Sequence, residues 1–158
     1  MFVLHTHPVF AFLPRRFLLA SATALALLGT HVHAADKIPV TASFSILGDL
    51  VRAVGGERVA VTTLVGPNQD AHVFEPRPAD AKTVLHTRIL VTNGLGFEPW
   101  AEKLARSAGY KGEVVVATTG VKARQIAKTA GRSGHDATDP HAWQDPLNVA
   151  LYVRNIAA

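Results

Sequence analysis

The sequence predicts an α/β fold built on a four-stranded parallel sheet flanked by helices. Short runs rich in Val, Ile and Thr alternate with segments whose apolar residues recur at helical spacing, the order expected of β-α-β units. Gly, Pro and Asn punctuate the changes of period. Of 158 residues, 48% are hydrophobic and 18% charged, a balance that fits a packed domain better than a disordered chain or a multi-span membrane protein.

The elements follow in order. Val40 to Phe44 is β-prone, Ile46 to Val54 places Ile46, Leu47, Leu50, Val51 and Val54 at helical spacing, and Gly55-Gly56 stops that helix. Val59 to Val65 reads as a second strand, broken by Gly66-Pro67 and leading into a long loop from Asn68 to Pro78. Pro78-Ala79-Asp80 opens a helix to about His86, because proline suits the first helical position, where no backbone donor is missed. Ile89 to Thr92 is the third strand, Asn93-Gly94 a turn, about Glu98 to Ser107 a helix, and Val114 to Ala117 the fourth strand. Thr118 to Pro140 is irregular and polar, with Gly131 to Gly134 its most pliant part. After Asp145-Pro146 a last helix begins, with Val149, Tyr152, Val153, Ile156 and Ala157 on one stripe. No capping signal closes that helix, so the chain is read as the front part of a longer protein.

Ahead of these elements, Arg15-Arg16, the apolar stretch Phe17 to Leu28 and the small-residue site around Val32-His33-Ala34 form a secretory signal. The apolar run is about 12 residues, short of the ~20 that span a bilayer, so cleavage after Ala34 and export to the periplasm are expected. Residues 1–34 are therefore the signal peptide, 35–146 the α/β lobe, and 147–158 the start of a further helix. Once the leader arginines are set aside, the Lys and Arg residues nearly balance the 12 acids and form no basic run, which excludes the usual footprint of a nucleic-acid binder. The absence of Cys excludes a disulfide scaffold, a thiolate metal site and a Cys nucleophile.

Any metal must then be held by His, Asp, Glu or water. Asp70-Ala71-His72-Val73-Phe74-Glu75-Pro76 and Asp139-Pro140-His141-Ala142-Trp143-Gln144-Asp145-Pro146 share a pattern: acid, any residue, His, any residue, aromatic, then Pro. Ligands of open parallel sheets bind beyond the carboxyl ends of the strands, so His72 and His141 are expected to reach one crevice. Neutral imidazole ligates zinc and related divalent ions, and Asp70, Glu75, Asp139 and Asp145 are candidates to accept the second ring N–H and fix the tautomer. Local hydrogen bonding is the competing account of these two histidines. His86, at a helix end, reads as packed or capping. Phe97, Trp100 and Leu104 read as core, as do Phe74 and Trp143, with shielding of the crevice the alternative for the last two. Glu98, near a helix start, is explained by the macrodipole.

Four blocks together resemble the zinc/manganese solute-binding proteins of metal ABC transporters: Thr41 to Leu50, Val65 to Pro76, Asn93 to Trp100, and Asp139 to Pro146. The resemblance implies two α/β lobes joined by one long helix, with metal in the cleft between them. By resemblance His72 and His141 are the first two ligands, while Asp139 and Asp145 flank the site. A C-terminal lobe would supply a third His or Glu and a fourth acidic ligand. The resemblance further implies a monomer when complete, an inner-membrane permease as partner and no enzymatic turnover. The transported ion is zinc or manganese, zinc being favoured, and His135 in the polar loop is a candidate recruiter of metal. Beside this reading stand a weakly binding or inactive lone lobe, a metal-dependent hydrolase, for which no His-Glu-x-x-His or Gly-x-Ser-x-Gly is present, and an adhesion protein whose metal only stabilises the fold.

Overall fold

The computed structural model describes residues 36–126 and 137–158. The expected leader, the Gly131 to Gly134 segment and His135 lie outside the described residues. Strands β1 (Ile38–Phe44), β2 (Val59–Val65), β3 (Ile89–Thr92) and β4 (Glu113–Val116) form one parallel sheet in the order β2-β1-β3-β4. Helices α1 (Ser45–Gly55), α2 (Pro78–His86), α3 (Pro99–Ala108) and α4 (Pro146–Ala157) connect or follow them. Two residues of β5 (Gln125–Ile126) pair antiparallel with β6 (Ala137–Thr138), a small ladder inside the stretch expected to be irregular.

Among the described residues, three of the four α-helices open on a proline, Pro78, Pro99 and Pro146. The caps differ. The Asp80 carboxylate accepts the Arg77 N–H at 2.7 Å, and the Asp145 carboxylate accepts the Leu147 N–H at 2.9 Å, each satisfying a donor at or beside a helix start. At the far end of α3, Gly109 takes the left-handed conformation (φ +71°) and the Tyr110 N–H returns to the Ala105 carbonyl at 3.0 Å, a Schellman-type stop.

β1 lies inside the sheet, and its last five residues, Val40 to Phe44, are all buried, so both of its faces are covered. Helix α1 packs on β1, β2 and α4, while α2 packs on α3. The core joins Val40, Ala42, Leu47, Val51, Leu90, Val91, Leu104 and Tyr152. The chain leaves β1 toward β2 and then crosses back to β3, so the strand order reverses between β1 and β3. In a right-handed parallel sheet that reversal opens a crevice at the carboxyl ends of those two strands. Phe44 and Asn93 stand there.

One expectation needs correcting, and another resolves to one of its two alternatives. On α4 the buried residue is Tyr152, 0% exposed, whereas Val153 and Ala157 face outward, because the helix meets the sheet along a narrower stripe than its apolar content suggests. His86 is exposed rather than packed. Its Nδ1 meets the Lys82 carbonyl at 2.7 Å in the last turn of α2, a capping role at the end of the sheet where β1 begins, marked by Pro39.

Candidate metal site

The two Asp-x-His segments fold alike. In each, the aspartate Oδ1 accepts the backbone N–H of the histidine two residues on, at 2.8 Å for Asp70 and His72 and 3.0 Å for Asp139 and His141. This is the local turn that short acidic side chains favour. In each, the carbonyl of the middle residue is also held by a side-chain donor: Trp100 Nε1–H donates to Ala71 at 2.7 Å, and Asn93 Nδ2–H donates to Pro140 at 2.9 Å. The two histidines are 69 residues apart in the sequence. They meet beyond the carboxyl ends of β1 and β3, where the topology opens the crevice.

There the two imidazoles face each other, with His72 Nε2 3.1 Å from His141 Nε2. Two nitrogens bound to one tetrahedral zinc at about 2.0–2.1 Å stand roughly 3.3 Å apart, so this spacing fits a shared divalent ion. Phe97, 5% exposed, forms the floor, its ring centroid 4.4 Å from that of His72 and 5.6 Å from that of His141. Trp143 meets both rings edge-on, its centroid 4.9 Å from that of Phe97 and 5.3 Å from that of His141. The aromatic side chains expected to be core therefore also wall the site. The cleft of about 260 Å³ above them is lined by Ser45, Asn68, Gln69 and Asp70 as well as the two histidines.

The four acids named from sequence take different places. Asp139 Oδ1 lies 2.9 Å from His141 Nδ1, so that the ring N–H donates to the carboxylate and Nε2 keeps its lone pair for a ligand. The His141 backbone N–H first, then its ring N–H and the Arg124 guanidinium at 3.0 Å, hold the Asp139 carboxyl down at about 2. It is thus ionised wherever imidazole is neutral. Asp70 fixes the backbone of His72 and not its ring. Asp145 caps α4 and lines the neighbouring cleft with His141, and Glu75 is exposed on the His72 loop. No group of three or more His, Asp or Glu side chains gathers around a common point among the described residues.

Beneath the site lies a polar network that sequence reasoning missed. Glu98, only 4% exposed, turns inward, and its Oε1 accepts the Ser43 hydroxyl at 2.8 Å and the Asn93 backbone N–H. Its Oε2 is buried without a partner, and burial raises its pKa above the ordinary carboxylate value. The helix dipole does not account for a side chain pointing into the core. Tyr152 Oη–H donates to Asn93 Oδ1 at 2.6 Å; burial first, and the Glu98 charge second, push the phenol pKa up and keep that proton in place. The only sequence signal was an Asn-Gly turn directly after a strand, followed by an acid. Gly94 is required at that turn: its φ is +85°, and a Cβ there would stand 2.6 Å from Val116 Cγ1.

The profile of the family described as "ZnuA: Zinc-uptake complex component A periplasmic" matches residues 40–158. The manganese-binding lipoprotein MntA of Halalkalibacterium halodurans is 35% identical over 121 residues, covering 77% of this chain and 38% of that protein. The manganese ABC transporter substrate-binding lipoprotein PsaA of Streptococcus pneumoniae is 30% identical over 128 residues, covering 77% and 40%. Among solved structures, the Mn-bound periplasmic metal binding protein from Candidatus Liberibacter asiaticus superposes with a TM-score of 0.64 at 30% identity over 76% of this chain and 43% of that one. A zinc-bound ZnuA deletion mutant superposes with a TM-score of 0.67 at 29% identity over 77% and 45%. The chain spans less than half the length of these relatives. With a doubly wound sheet and a histidine pair at its switch point, and with the profile running from β1 to the end of α4, the chain belongs to the family of the periplasmic zinc-uptake component A.

Proposed function

We propose that this chain carries two nitrogen ligands, His72 and His141, with which a periplasmic solute-binding protein captures a divalent metal ion for an ABC-type importer. The observation that carries this reading is the 3.1 Å approach of the two Nε2 atoms, one of them freed for a ligand by the Asp139 hydrogen bond to its ring. The metal is cargo, bound and released without turnover, so the chain is read as a non-enzyme. Zinc is the preferred ion, because paired imidazoles suit it better than they suit harder ions. Manganese is the second reading, supported by relatives whose names specify it.

In this reading residues 1–34 are a signal peptide cut after Ala34, residues 35–146 are one lobe, and α4 begins the helix that leads to a second lobe. That lobe completes the ligand set, and an inner-membrane permease receives the ion. Among the described residues no helix is long and apolar enough to cross a membrane.

The test is calorimetric titration of the purified chain with zinc and with manganese at pH 7.5 and 5.5. One ion per chain is expected, with zinc the tighter and its affinity lower at pH 5.5, because a ligating imidazole must be neutral and protons compete with the ion for its nitrogen as pH falls. Binding that is equally strong at both pH values, or that survives loss of both histidines, would remove the reading.

A further inference from the structure

We propose that the segment Asn93–Trp100, which follows β3 and enters α3, is a positioning element that sets both histidines at once; this rests on the reading that His72 and His141 hold metal. Its two ends reach the two histidine loops at equivalent points. Asn93 Nδ2–H donates to the carbonyl just before His141, at 2.9 Å, and Trp100 Nε1–H donates to the carbonyl just before His72, at 2.7 Å. Between them Phe97 lies under both rings. One short stretch of backbone therefore fixes the height of each loop and the floor on which the rings meet.

The Asn93 end is itself governed from α4. The carbonyls of Pro140 and Gly94 both accept from the Asn93 side-chain amide, so its N–H₂ group must face them and its oxygen must face away. Tyr152, fully buried on α4, donates to that oxygen at 2.6 Å. Glu98 and Thr118 hold the Asn93 backbone from either side. Asn155, also on α4, donates to the carbonyls of Ala117 and Thr119 at 2.8 and 2.9 Å, so the helix is fastened to the end of β4 as well. A displacement of α4 that breaks the Tyr152 bond leaves a buried amide oxygen unpaired and removes one restraint on the amide that holds the Pro140 carbonyl, whereas the Trp100 bond to the His72 loop is untouched. Movement of this helix is thus read out first at His141, and at His72 only through the contact between the two rings.

The experiment compares the parent chain with Tyr152→Phe, Asn93→Ala, Trp100→Phe and a remote core variant, Val84→Ala on α2. Imidazole ¹⁵N NMR of the zinc-free chains gives one set of signals for each ring, and zinc titration gives the affinity. Tyr152→Phe and Asn93→Ala are expected to shift or double the His141 signals more than those of His72, which feels the change only through the contact between the two rings; Trp100→Phe is expected to do the reverse. Each lowers zinc affinity about tenfold, the lower end of what outer partners of a metal ligand contribute. Tyr152→Phe combined with Asn93→Ala should lose no more than Asn93→Ala alone, since both act through one link. Val84→Ala lowers stability without moving either ring. If Asn93→Ala does not fold, Tyr152→Phe carries the His141 arm. The proposal falls if both rings move equally in every variant, if neither moves, or if Val84→Ala weakens zinc as much as the others. If the parent binds no zinc, the proposed function falls, while the ring signals still decide the positioning.

Discussion

The two Asp-x-His segments begin as near copies and end in different mechanical states. Both use the aspartate to turn the backbone, and both have a neighbouring carbonyl pinned by a side chain of the Asn93–Trp100 segment. At His141 the aspartate also takes the ring N–H, is itself held by Arg124, and the His141 side chain is about a third exposed. At His72 the aspartate stops at the backbone and the side chain is exposed, steadied by the Phe97 edge and by its partner imidazole. The same local pattern thus yields one histidine with its tautomer fixed in advance and one whose ring can adjust. Under the proposed function, the fixed tautomer spares His141 an ordering cost on binding the ion that His72 still bears.

The sharpest way to break the comparison is to remove each imidazole. His72→Ala and His141→Ala are each expected to lower zinc affinity by more than about 100-fold, beyond the range of outer partners. A loss confined to one of them, seen by calorimetry, would mean that the pair does not share an ion. Next in size is Asp139→Ala, which removes the ring acceptor and is expected to weaken zinc about 10- to 100-fold. Asp70→Ala removes only a backbone turn, with an expected loss under about tenfold and a stability change of about 1 kcal/mol. Equal losses for the two aspartates would erase the difference between the segments.

Much of the fold was legible because its signals are local. Pro78, Pro99 and Pro146 open helices where a proline can, Gly55-Gly56 ends one, and the Val- and Ile-rich runs supply the sheet. The convergence of His72 and His141 followed from topology, since both loops lie beyond the carboxyl ends of parallel strands. What was not legible depends on where a side chain points. The pattern gave Asp70 and Asp139 the same weight, although one ring reaches its aspartate and the other does not. Glu98 read as a charge explained by the helix dipole, because nothing in periodicity tells whether a residue beside a helix start turns outward or inward. Tyr152 was only one of five stripe residues, and its bond to Asn93 joins positions 59 residues apart.

The smallest effect, and the one that isolates the His141 side, lies in Glu98. Burial raises its pKa in the folded chain, so it contributes stability that is fully present below the ordinary value of 4.5 and is lost as pH rises through the raised folded value. Glu98→Gln cannot ionise. Its side-chain oxygen can still accept from Ser43 and from the Asn93 N–H, while its amide takes the place of the unpartnered Oε2. The stability of the parent should therefore fall relative to that of Glu98→Gln as pH increases above 4.5, measured by urea denaturation at several pH values. Because Glu98 grips Asn93, and Asn93 in turn grips Pro140, the same rise in pH should move the His141 ring signals of the parent more than those of Glu98→Gln. A gap in stability that stays constant with pH would show that the buried carboxyl does not change its protonation on folding, and would detach Glu98 from the asymmetry of the two histidines.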